Sequence, residues 1–102
     1  MYILKMEVSN PFQIQIYGIC MLIMSKHTKL DRNEIKSYFP CFNLTEQYFQ
    51  LLKTAYENLI NGGCISIEIF KTQKEEVLEY NFHFGTKQQA LLFKMRGLLN
   101  EP

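Results

Sequence analysis

Two histidines and three cysteines are the side chains of this 102-residue chain best suited to metal or nucleophilic chemistry. Neither His27 nor His83 has a cysteine or carboxylate beside it at ligand spacing, and the intervals between Cys20, Cys41 and Cys64 match no zinc pattern. A Cys–His nucleophile needs an electropositive, accessible pocket. Cys41, next to Pro40, is the one cysteine in a loop and reads as turn filler. Gly62-Gly63 lacks the spaced glycines and the lysine of a phosphate-cradling loop. The expectation is a protein with no catalytic residue, no metal and no cofactor. What remains is recognition chemistry. Gln47 and Gln50 carry carboxamides that can pair bidentately with adenine, and Thr45, Lys53 and Thr54 stand around them. Lys29, Arg32, Lys36, Lys71, Lys74 and Lys87 could meet phosphates.

Bulk charge gives these residues little help. Net charge is +1 and the pI is about 7.7, so the whole molecule exerts no general pull on polyanions and any charged partner must meet a local patch. From Lys26 to Lys36 four positive residues face two negative ones, whereas Leu44 to Ile60 carries Glu46 and Glu57 against Lys53 alone. At 47% apolar and 14% aromatic, the chain has enough to bury for one compact domain spanning 1–102. It is too short for barrel or double-sheet enzymes, which need roughly 200 residues. The apolar run Ile16 to Met24 is about half of the ~20 residues a membrane span requires. The start, with charges among apolar residues, shows no leader pattern. An odd cysteine count without a close pair suits a reducing compartment, and the expected location is cytoplasmic.

The elements that would position the candidates are punctuated clearly. Asn10-Pro11 with Gln13 predicts a helix start, and Phe12, Ile16, Ile19, Cys20 and Ile23 follow at helical spacing. Phe12, Ile14 and Ile16 also alternate as a strand would, but the run beyond them does not. Asp31 and Glu34 form a capping box, with Leu30 and Ile35 as a hydrophobic staple, ahead of a short helix from Arg32 to Phe39. A third helix starts at Asn43 or Thr45, with Glu46 able to complete a box from Asn43. It carries the stripe Tyr48, Leu51, Leu52, Ala55 and Leu59, and ends at Asn61-Gly62-Gly63. The period then switches to two. Ile65, Ile67 and Ile69 form one alternation, and Leu78, Tyr80, Phe82 and Phe84 a second, which predicts a hairpin. Thr86 and Gln89 open a last helix, whose Leu91, Leu92, Met95, Leu98 and Leu99 form a stripe able to pair with a second copy. Met6, Met21, Met24 and Met95 read as fillers of core gaps. Residues 1–10 are an arm or a strand.

A helix, then Lys29-Leu30-Asp31-x-x-Glu34-Ile35, a tight turn, a longer helix ending in Gly62-Gly63 and a hairpin resembles a winged helix-turn-helix over Pro11 to Phe84. More narrowly, Ile16-Tyr17, Tyr48-Phe49, Ala55 to Asn61 and Val77 to Phe84 resemble the winged domain of plasmid replication initiators. The fold class expected is α+β, mainly α: three helices, a β-hairpin wing and a C-terminal helix at 86–99 that could serve dimerisation. The resemblance implies a sequence-specific reader of double-stranded DNA, acting in transcriptional or replication control as a homodimer. Its third helix would enter the major groove, with Thr45, Gln47, Gln50, Lys53 and Thr54 reading bases. Phosphates would meet Lys29, Arg32 and Lys36 around the second helix, Lys71 and Lys74 on the wing, and Lys87. The alternatives are a winged protein-binding module gripping its partner through Phe49, Tyr56 and the last helix, or an inhibitor encoded by a mobile element.

Overall fold

The computed structural model describes residues 1–26, 30–40 and 43–102. His27, Thr28, Lys29, Cys41 and Phe42, and with them one predicted phosphate contact and the loop cysteine, lie outside the described residues. Among the described residues, four helices and three strands run in the order β1 (Tyr2–Val8), α1 (Pro11–Ser25), α2 (Arg32–Tyr38), α3 (Glu46–Asn61), β2 (Cys64–Lys71), β3 (Leu78–Phe84) and α4 (Lys87–Arg96). The class is α+β, about half helical, with one antiparallel sheet.

The N-terminal segment is a strand. β1 pairs with β3 along its whole length, from Tyr2 against Phe84 to Val8 against Leu78, and the sheet order is β1-β3-β2. The alternation in β3 places Tyr80, Phe82 and Phe84 in the core, where each is almost wholly buried. Register puts Leu4, Met6, Val8, Cys64, Ile67 and Ile69 on that same face. Helix aromatics close over it: Tyr17 meets Phe82 edge-on at 6.0 Å, and Phe93 lies 5.0 Å from Phe82 and 5.4 Å from Phe84. The Tyr80 hydroxyl donates to the Ile14 carbonyl at 2.7 Å, so the first helix is bonded to the sheet as well as packed on it.

Several local expectations are corrected. Asn10 caps α1, accepting from Phe12 N–H and Gln13 N–H, but the Gln13 carboxamide reaches across the fold to the Leu99 carbonyl and Asn100 instead of back to the cap. Asp31 caps α2 alone, without a reciprocal bond from Glu34, and α3 is capped by Thr45 rather than Asn43. Glu46 has other partners, described below. Ile65 does not share the inward face of β2. A β-bulge between Cys64 and Ser66 makes it the extra residue, and it is 54% exposed.

The last helix differs most. Its start is a full capping box between Thr86 and Gln89, but it stops at Arg96, where Gly97 takes φ +75°. Only Ala90 and Phe93 face the core, while Leu91 and Leu92 stand outside and Met95 is 83% exposed, so Met95 fills no core gap. Leu98 and Leu99 belong to a tail that turns back onto α1, where Leu99 N–H donates to the Tyr17 hydroxyl at 2.8 Å. The predicted stripe therefore splits into an outward trio and an inward pair.

Candidate nucleic-acid interface

The candidate surface is built around the N-terminus of α3. An amphipathic pattern turns Leu52, Ala55 and Leu59 inward and leaves Thr45, Gln47, Gln50, Lys53 and Thr54 exposed along one polar face. Most of these side chains already have local bonds. Thr45 accepts from Tyr48 N–H at 3.1 Å, Thr54 donates to the Gln50 carbonyl at 3.0 Å, and Lys53 stands 4.0 Å from Glu57. Gln50 donates to Glu46 Oε1 at 3.0 Å. Gln47 alone of the five has neither a side-chain hydrogen bond nor an ion pair among the described residues.

Glu46 is the residue that sequence reasoning misplaced. One of its oxygens takes Gln50 and the other takes Arg32 of α2, whose guanidinium also lies over the Phe49 ring at 4.9 Å. One predicted phosphate contact and one predicted base reader thus converge on a single carboxylate. Its position three residues after Asn43 suggested a cap, while the link to Arg32 joins two elements and carries no local sequence signal. Phe49 and Tyr56 are half-buried against the core, so neither stands out as an exposed anchor for a protein partner.

Pairing and register determine which cations lie near this surface. Val8 opposes Leu78 at the end of the sheet that carries the β2–β3 turn, and α1 begins just beyond it at Pro11. Phe12 of α1 meets Tyr48 of α3 edge-on at 6.1 Å, and Gln15 accepts from the Tyr48 hydroxyl at 3.0 Å. The start of α3 therefore lies towards the same end of the sheet as Lys71 and Lys74. Lys71 is exposed at the strand end, and Lys74 bridges to Glu7 at 3.3 Å. The β2–β3 turn is held by the Thr72 hydroxyl, which accepts from Lys74 N–H at 3.1 Å and donates to the Val77 carbonyl at 2.7 Å. Lys36 is exposed in the last turn of α2. Lys87 is also exposed, but it follows Phe84 at the far end of β3, about 20 Å away along the strand, and does not join the others.

A cleft of about 470 Å³ opens where α1, α3 and the tail meet, and Gln15, Thr45, Gln47 and Glu101 line it. Burial pushes the Tyr48 hydroxyl beside it up to about 12. Burial also raises the Cys20 and Cys64 thiols, Cys64 to about 12, which makes both poor nucleophiles. Among the described residues, no three His, Cys, Asp or Glu side chains gather as a metal site, and no helix is long and apolar enough to cross a membrane. No family model, curated protein or solved structure matches the chain.

Proposed function

We propose that this protein is a winged helix-turn-helix that binds double-stranded DNA in transcriptional or replication control. The observation carrying this reading is the placement of the α3 polar face at the wing end of the sheet. α2 and α3 stand in helix-turn-helix order, the β2–β3 hairpin follows as the wing, and Arg32, Lys71 and Lys74 fall on the same end as Gln47 and Gln50. A major groove about 12 Å wide admits such a helix. Phosphate neutralisation by a few cations supplies modest, salt-sensitive affinity, which suits the weak net charge.

The bonding pattern ranks the readers. Gln47 has both ends of its carboxamide available to a base, while Gln50 must first leave Glu46. The test is fluorescence polarisation with random and selected duplexes at low and moderate salt. Gln47→Ala should cost about 1–3 kcal/mol on the preferred sequence and little elsewhere. Absence of duplex binding at ~50 mM salt, where electrostatic attachment is strong, defeats the proposal. A protein-binding role is favoured by one observation, the exposed trio Leu91, Leu92 and Met95 on α4, and it is the reading left standing in that event.

A further inference from the structure

Both outer strands of the three-stranded sheet are edges, and they differ. β2 carries the bulge at Ile65, a device that discourages pairing with another chain, and its Glu68 and Lys71 lie on opposite faces where they cannot oppose each other across a two-fold axis. β1 has neither protection. It is regular over all seven residues, β3 is its only strand partner among the described residues, and no described residue bonds the backbone groups on its outer side. Such a row of free donors and acceptors is a template for another strand.

The side chains select which strand. Register puts Leu4, Met6 and Val8 on the core face and Lys5 and Glu7 on the open face, both exposed. Two antiparallel copies of β1 must oppose residues of the same face, and the alignments that also pair most of each strand are those centred on Leu4, Lys5 or Met6. Centring on Lys5 sets ammonium against ammonium, and centring on Leu4 leaves both charges opposite apolar residues. Centring on Met6 opposes Lys5 to Glu7 of the partner copy twice over, at cross-strand distance, and opposes Leu4 to Val8 on the core face. We infer that two copies of this chain join edge to edge through β1, in the Met6-centred alignment, as one continuous six-stranded antiparallel sheet. In the single chain Glu7 has Lys74 at 3.3 Å and Glu79 directly across β3, so the second lysine also relieves a pair of facing carboxylates. The interface requires no nucleic acid and is independent of the functional proposal above.

The experiment is a charge swap read by sedimentation velocity on the full chain, with circular dichroism and thermal melting to show that every variant is folded. Wild type should sediment as a dimer at high micromolar concentration. Lys5→Glu and Glu7→Lys should each sediment as folded monomers, because each sets like charges together at both contacts. The double variant should dimerise again, and an equimolar mixture of the two single variants should form a heterodimer. A monomeric wild type overturns the inference. So do single variants that remain dimeric, and a dimer dissociated by Leu92→Glu but indifferent to Lys5 and Glu7 would place the interface on α4 instead.

Discussion

Arg32 illustrates how a residue assigned to a ligand can be engaged at home. Its contacts with Glu46 and Phe49 hold α2 against α3, so a phosphate approaching it competes with a carboxylate already in place. The pair is half-exposed and its loss should cost the fold little. Glu46→Ala should therefore tighten duplex binding several-fold while shifting the thermal midpoint only slightly, as polarisation and melting would show together. Gly63 is the opposite case, a residue whose role is wholly structural. It holds φ +86° where α3 turns into β2, and a Cβ there would run into the Gln89 carboxamide. Gly63→Ala should cost about 1–2 kcal/mol for the left-handed backbone alone, measurable by urea unfolding. Tyr80 sets a pH limit. Burial raises its hydroxyl from 10.0 to about 12, so the folded chain holds that proton after the unfolded chain has released it. The contribution of Tyr80 is accordingly intact below pH 10 and should be lost as pH rises from 10 towards 12, which denaturant midpoints of wild type and Tyr80→Phe taken across that window would trace.

At the scale of elements, the helix starts and the alternation in β3 were legible because caps and periods are local. Asn10, Asp31, Thr45 and Thr86 all accept from the first turns they introduce. What sequence reading missed was set by contacts distant in the chain. Gln13 was drawn to Leu99, Glu46 to Arg32, and Ile65 was pushed outward by a bulge that alternation cannot reveal. In α4, periodicity counted five residues as one stripe because it did not place the turn at Gly97. The candidate site was legible as a set of exposed polar types, but which of them are free to bind was not, since that depends on their neighbours. The corrected helix makes a clear prediction. Phe93 packs on two sheet phenylalanines, and Phe93→Ala should cost about 3–5 kcal/mol, whereas Leu92→Glu on the outward side should leave the fold near wild-type stability.

At the scale of the whole molecule, the cations sort by the end of the sheet they occupy. If duplex lies across the wing end, Lys71→Ala and Lys74→Ala should each lower the slope of log affinity against log salt by about 0.9, while Lys87→Ala, at the other end of β3, should leave it unchanged. The same sheet order has a consequence for how the chain is made. The strand at the centre of the sheet is the last of the three to be synthesised, so no pair of β1 with β3 can close until Leu78 is made opposite Val8, and Tyr2 waits longest, for Phe84. Until then a nascent chain holds three helices with no floor beneath them and an apolar first strand with nothing to bind. Contacts of such long separation form slowly, so the sheet assembles only after β3 has left the ribosome. Each newly made chain thus presents its first strand to the surroundings, including to another copy emerging beside it, before its own third strand exists.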